Sequence, residues 1–227
     1  MKENVLRNVG LIMDGNGRWA QTQNKPRLEG HTQGIITMTS LIAHAFDKGV
    51  ENIMCYGLST ENMSRPTTEL SHIFDLMLDI YEKFVTMMTE KQASVVYVGN
   101  LDVLPGIVRA SMQKAQNALN KFKGSGRTAY IGIAYGSRNE IVNAINTAID
   151  SGERVTESSF LSSLDVPIDL DLIIRTGGER RLSNFMLYQS SYAELYFSDK
   201  FFPEFTGDDM DEAFDWYNNR KRRFGKI

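Results

Sequence analysis

Apolar residues fall along this chain in two alternating rhythms: short unbroken runs, and longer stretches spaced like one face of a helix. "VGLIM" is a short run and predicts a strand ending at Asp14. Ile35, Met38, Leu41, Ile42, Ala45 and Phe46 then recur at helical spacing, closed by Gly49. "ENIMCYGLS" predicts a second strand. One long helix is expected from Glu69 to Lys91, where Leu70, Ile73, Phe74, Met77, Leu78, Tyr81, Phe84, Val85 and Met88 form a wide apolar stripe. "SVVYVGN", "TAYIGIAYGS" and "LDLIIRTGG" predict three more strands, and "AELYFSD" a short sixth. "GIVRASMQKAQNALNKF", "RNEIVNAINTAID" and "DDMDEAFDWYNNRKRRF" predict the intervening and closing helices. Such alternation predicts an α/β fold, a mostly parallel six-stranded sheet flanked by helices. No repeat or composition break divides the chain, so residues 1–227 are expected to form a single domain.

Composition narrows the function classes. Net charge is only −3, so no global basic field points to nucleic acid. Cys55 is the one cysteine, which excludes a disulfide framework and suits a reducing compartment. "MKENVLRNVG" lacks the apolar segment of a signal peptide, and no apolar run reaches the roughly 18 residues of a spanning helix. A cytoplasmic protein is expected, with contact to the inner face of a membrane left open.

The polar residues gather at strand ends. Asp14, Ser59, Arg138 and Arg175 each follow soon after an apolar run. In open parallel sheets those ends share one edge, where ligands bind. "GNGRWA" formally fits a dinucleotide fingerprint, but Pro26 and the polar "QTQNK" follow where a helix should start, so a loop is expected. Asp14 would also repel a pyrophosphate lying against it. An EF-hand fails because Arg18 and Trp19 occupy positions that want an oxygen ligand and a turn glycine. A plain tight turn would explain "DGNG". The neighbours suggest more: glycine N–H groups cradle phosphate oxygens, and Arg18 adds a forked donor. An anion beside Asp14 then calls for a cation between them, and Mg²⁺ bridging carboxylate and diphosphate fits. Arg175, Arg180 and Arg181, with Ser183, suggest a second anion, with Arg27 and Arg65 as further cations. Glu194 reads either as a surface glutamate or as a second carboxylate for the metal. The long apolar helix is either core or the wall of a hydrocarbon tunnel.

"IMDGNGRWA", Gly30-His31, "LSTENMSRP", "LIIRTGGERRLSNFMLYQSSYAELYF" and "FFPEF" together resemble the cis-prenyltransferase family, in order from Val9 to about Gly225. The resemblance implies a dimeric α/β domain with an apolar tunnel beneath the active site. It implies Mg²⁺-dependent condensation of isopentenyl diphosphate onto an allylic diphosphate such as farnesyl diphosphate. Undecaprenyl diphosphate, for the cell-wall lipid carrier, is the expected product. The alternatives are a short- or medium-chain synthase, or a non-catalytic partner subunit. By motif, Asp14 resembles the essential aspartate and metal ligand, and Glu194 the second metal ligand, from either subunit. Gly15, Asn16, Gly17 and Arg18 resemble the allylic diphosphate cradle, with Trp19 closing over the prenyl chain. Arg27 and His31 resemble further diphosphate contacts. Ser59, Thr60, Glu61 and Met63 flank the substrate. Asn62 matches a residue assigned proton transfer, although a neutral carboxamide is a poor base and suits positioning better. Arg65, Arg175, Arg181, Leu182 and Ser183 resemble the isopentenyl diphosphate site. Arg223-Phe224-Gly225 resembles an element reaching a neighbouring subunit. The chain departs from the family pattern at Met63 (usually tryptophan), Ala134 (asparagine) and Gly177 (serine).

Overall fold

The computed structural model describes residues 5–152 and 154–221. Each short apolar run becomes a strand: β1 (Asn8–Ile12), β2 (Asn52–Ser59), β3 (Ser94–Val98), β4 (Thr128–Tyr135), β5 (Leu172–Arg175) and β6 (Glu194–Phe197). The order across the sheet is β3-β4-β2-β1-β5-β6, and every pairing is parallel. Parallel neighbours need crossovers, and helices supply all but the one from β5 to β6, which is a loop. The crossover helices are α1 (Asn16–Thr22), α2 (Arg27–Asp47), α3 (Thr67–Asp79), α4 (Tyr81–Glu90), α5 (Gly106–Leu119), α6 (Ser137–Ser151) and α7 (Glu157–Ser163), and α8 (Gly207–Asn218) follows β6.

Alternation along β1 sorts the core. Val9 and Leu11 face one side with Ile53, Cys55, Ile131 and Ile174, packed by Leu41 and Phe46 of α2, Met88 of α4, Leu119 of α5 and Phe214 of α8. Ile12 faces the other side with Met54, Tyr56, Tyr135 and Ile173, covered by Val166, Leu170, Phe185 and Met186. Cys55 is fully buried, and burial pushes its thiol pKa up. Among the described residues no helix is long and apolar enough to cross a membrane.

Four expectations change. The stretch after Gly15 is a helix, α1, rather than a loop, and only Gly15 of "DGNG" has positive φ, at 107°. A Cβ there would lie 2.7 Å from the Phe201 ring, so the turn into α1 requires glycine. α2 begins at Arg27, straight after Pro26. The long helix is two helices meeting at Ile80, whose φ −79° and ψ −11° remain right-handed. Hydrogen bonds from Ile80 N to Leu76 O (3.0 Å) and Phe84 N to Ile80 O (2.9 Å) persist, so the join is a bend. The closing helix ends at Asn218, and Arg223-Phe224-Gly225 lies outside the described residues.

Candidate active site

β1 and β5 lie side by side with Ile12 opposite Arg175, which brings the chain beyond each strand to one edge. Thr176 stitches the two ends: its Oγ1 donates to Asp14 O (2.8 Å) and accepts from Asp14 N (3.1 Å). The Asp14 carboxylate stands between two guanidiniums. Arg175 Nη2 donates to Oδ2 at 2.9 Å, and Arg18 Nη2 donates to Oδ1 at 3.0 Å. Arg175 is 3% exposed, while Asp14 keeps 28% of its side-chain surface. Arg175 Nη1 also donates to Ser183 Oγ (2.8 Å) and to the carbonyl of Arg181. Arg175 is thereby fixed in place, its Nε buried without a partner. Gly17 lets the Arg27 guanidinium approach α1, since a Cβ there would meet it at 2.7 Å.

The ends of β2 and β4 form the facing wall. Ser59 N donates to Asn62 Oδ1 (3.2 Å) while Asn62 N donates to Ser59 Oγ (3.1 Å). Asn184 Nδ2 donates to Glu61 Oε1 (3.2 Å). Burial pushes Glu61 up, but hydrogen bonds from its own backbone, Ser59, Asn184 and Thr60 outweigh it and hold the carboxyl below the usual glutamate range. Ala134, where the family pattern has asparagine, adopts φ +48°, a conformation that asparagine tolerates better than alanine.

Glu69 of α3 ties in two more predicted residues. Its Oε1 accepts from Arg65 Nη1 (3.1 Å) and lies 3.0 Å from His31 Nε2. Burial lowers the His31 pKa against the pull of Glu69, so the neutral ring donates Nε2–H at neutral pH.

These groups ring the mouth of a cavity of about 660 Å³. Asp14, Gly15, Asn16, Gly17, Arg18, Arg27, His31, Ser59, Glu61, Asn62, Arg65, Arg175 and Ser183 all line it. Its interior is apolar, walled by Met38 of α2, Ile73 and Met77 of α3, Phe84 of α4, Met112 of α5 and Ile131 and Ile133 of β4. The wide stripe of the α3–α4 pair is thus shared between core and cavity.

Other predicted residues stand apart. Trp19, Thr60, Met63, Arg181 and Leu182 are not in the cavity wall. Lys25 Nζ lies 5.8 Å above the Trp19 ring, Met63 packs on the main core, and Leu182 on the core of the opposite face. Glu194 opens β6 opposite Leu172, three residues, or roughly 10 Å, short of the level of Arg175. It accepts from Arg220 Nε (3.1 Å) instead. The same-chain pairing of Glu194 with Asp14 is therefore corrected: the parallel register carries it to the far end of the sheet. Tyr56, Glu69 and Asn184 line or brace the site and were missed. Tyr56 was hidden within an apolar run, yet its hydroxyl reaches Ser183 O (3.1 Å) and Tyr135 O (3.3 Å).

The model of the undecaprenyl diphosphate synthase family matches residues 12–225. This chain belongs to that family. An undecaprenyl diphosphate synthase of Micrococcus luteus, named as farnesyl-diphosphate specific, is 36% identical over 98% of this chain and 92% of its own length. An isoprenyl transferase of Lactococcus lactis is 34% identical over 100% and 96%. Among solved structures, lavandulyl diphosphate synthase from Lavandula x intermedia, in complex with dimethylallyl diphosphate, superposes with a TM-score of 0.92 at 29% identity, covering 99% of this chain and 100% of that one. The family thus spans nearly the whole sequence, and the residues lining the mouth fall inside the matched range.

Proposed function

We propose that this chain condenses isopentenyl diphosphate onto an allylic diphosphate, farnesyl diphosphate in the first instance, and repeats the cis addition to make undecaprenyl diphosphate. One observation carries the reading: an arginine-framed mouth opens into an apolar cavity, as a charged head on a hydrocarbon tail requires. The name of the Micrococcus luteus relative supports the primer.

Gly15, Asn16, Gly17, Arg18 and Arg27 would hold the allylic diphosphate, and Arg65, Arg175 and Ser183 the isopentenyl diphosphate. The allylic C–O bond breaks and pyrophosphate departs. The double bond of isopentenyl diphosphate attacks the allylic carbon, and a proton then leaves to an oxygen of the departing pyrophosphate. Asn62 Oδ1 already accepts from Ser59 N, which suits the side chain to positioning through Nδ2 rather than to taking that proton.

The donor set fits Mg²⁺. Among the described residues no group of three or more His, Cys, Asp or Glu side chains forms a metal cage. Mg²⁺ habitually uses one or two carboxylates plus substrate phosphates, and Asp14 supplies such a carboxylate at the mouth. When bound, the ion would neutralise charge developing on pyrophosphate. A homodimer belongs to the same proposal. Val142, Ile145 and Ile149 leave an apolar stripe exposed along α6, and Glu194 could join the metal only from a second copy. Release of so apolar a product at a membrane surface completes it.

Purified protein, farnesyl diphosphate and labelled isopentenyl diphosphate test the reading. We expect undecaprenyl diphosphate with Mg²⁺ and none with EDTA. A shorter ladder would keep the chemistry and overturn the product, while no product from farnesyl, geranyl or dimethylallyl primers would overturn the activity.

A further inference from the structure

We propose that Glu179 is a resident counter-anion. It holds Arg18 and Arg181 in the free protein, gives them up to the incoming diphosphate, and so sets how fast pyrophosphate leaves. The inference rests on the reading of this mouth as a diphosphate site.

The arginines at the mouth, and Arg181 just outside its wall, fall into two kinds. Arg175 is buried and held by Asp14, Ser183 and a backbone carbonyl. Arg18 and Arg181 keep 40% and 58% of their side-chain surface. Both face one carboxylate: Glu179 Oε2 lies 2.5 Å from Arg181 Nη1, and Glu179 Oε1 lies 3.8 Å from Arg18 Nη1. A single anion thus bridges guanidiniums from α1 and from the loop after β5, as a diphosphate oxygen pair could.

The turn carrying Glu179 is built for this. Gly177 and Gly178 have φ +86° and +76°, and their N–H groups donate to Lys200 O (2.7 Å) and Ser198 O (3.0 Å). Glu179 therefore projects from an anchored turn. A Cβ at Gly177 would lie 2.7 Å from Arg18 Nη2 and 3.0 Å from the Asp14 backbone. The departure from serine at this position gives Arg18 room to lie between Asp14 and Glu179.

Half-exposed ion pairs of this kind are individually weak, so a more highly charged diphosphate displaces the carboxylate readily. The returning carboxylate then competes with the pyrophosphate left behind. Glu179 touches no substrate and acts only through the two arginines. Its removal should tighten diphosphate binding, whereas loss of a merely structural brace would weaken it.

Titration calorimetry with inorganic pyrophosphate, without metal, tests the sign. Glu179→Gln should lower Kd roughly three- to tenfold, within what two such pairs allow. Glu179→Asp should fall between that variant and the wild type. Glu157→Gln, the same charge change at the exposed start of α7, should leave Kd unchanged. In turnover, Glu179→Gln should lower both kcat and the KM for the allylic diphosphate. An unchanged or weaker Kd for Glu179→Gln overturns the counter-anion alone. Failure of the wild type to bind pyrophosphate removes both this inference and the diphosphate reading of the mouth.

Discussion

Two carboxylates near the same edge of the sheet meet opposite surroundings. Asp14 is partly exposed and gripped by two guanidiniums. Glu140, near the start of α6, is 4% exposed and is held by neutral donors. Tyr135 OH donates to it at 2.5 Å, Gln189 Nε2 lies 3.2 Å from both oxygens, and Val166 N donates at 3.3 Å. Charged partners at an open mouth can be exchanged for a charged ligand. Neutral donors closed over a buried group are expensive to separate and have no such substitute. The first arrangement suits binding and chemistry. The second ties β4, α6 and the segment around Gln189 into a stiff backing for Ser183 and Asn184.

If that contrast holds, substitutions at the two carboxylates should separate activity from stability. The largest effect belongs to Asp14→Asn, which should cut kcat/KM roughly 10³-fold by removing metal and transition-state charge stabilisation. Its amide oxygen can still accept from Arg175, so Tm should move by only a few degrees; a collapsed Tm would make Asp14 a structural residue. Arg175→Lys comes next, with roughly a 10²-fold loss of kcat/KM, because an ammonium cannot serve Asp14, Ser183 and the Arg181 carbonyl at fixed geometry. Substrate saturation curves should place much of that loss in the KM for isopentenyl diphosphate.

Glu140→Gln should do the reverse. Denaturant unfolding should show a loss of about 1–3 kcal/mol as the hydrogen-bonded group is rearranged, with kcat/KM within about twofold of wild type. The smallest effect is its pH signature. Burial, outweighing the hydrogen bonds from Tyr135, Gln189 and Val166, raises the Glu140 pKa. A carboxyl whose folded pKa exceeds its unfolded value stabilises the fold most when protonated, and that contribution is lost as pH rises through the folded value. Wild type should therefore gain stability relative to Glu140→Gln as pH falls from neutral towards the ordinary glutamate range. Parallel Tm curves for the two proteins would remove Glu140 as the cause.

The strands were legible because short apolar runs bounded by polar residues have few other uses, and each became part of one parallel sheet. Their shared edge follows from parallel topology, so the sequence alone brings Asp14, Ser59 and Arg175 together. Helix boundaries were less legible. α1 is short and polar, and the bend at Ile80 has neither proline nor glycine to announce it. Within the site, the arginines and glycines stand out by residue type and clustering, whereas nothing in the sequence marks Glu69 and Glu179 as the carboxylates that pair with them. Glu194 shows the limit of motif reading: a residue's membership of a motif says nothing of which end of its strand it occupies.

Cys55 offers a reporter that needs no engineering. As the only thiol in the sequence, wholly enclosed in β2 and with burial opposing its ionisation, it gives maleimide dyes almost no purchase on folded molecules. Dye uptake by the unaltered chain therefore counts those molecules that have opened their centre. A cysteine placed at exposed Thr22 would instead colour the surface beside α1 against a silent background.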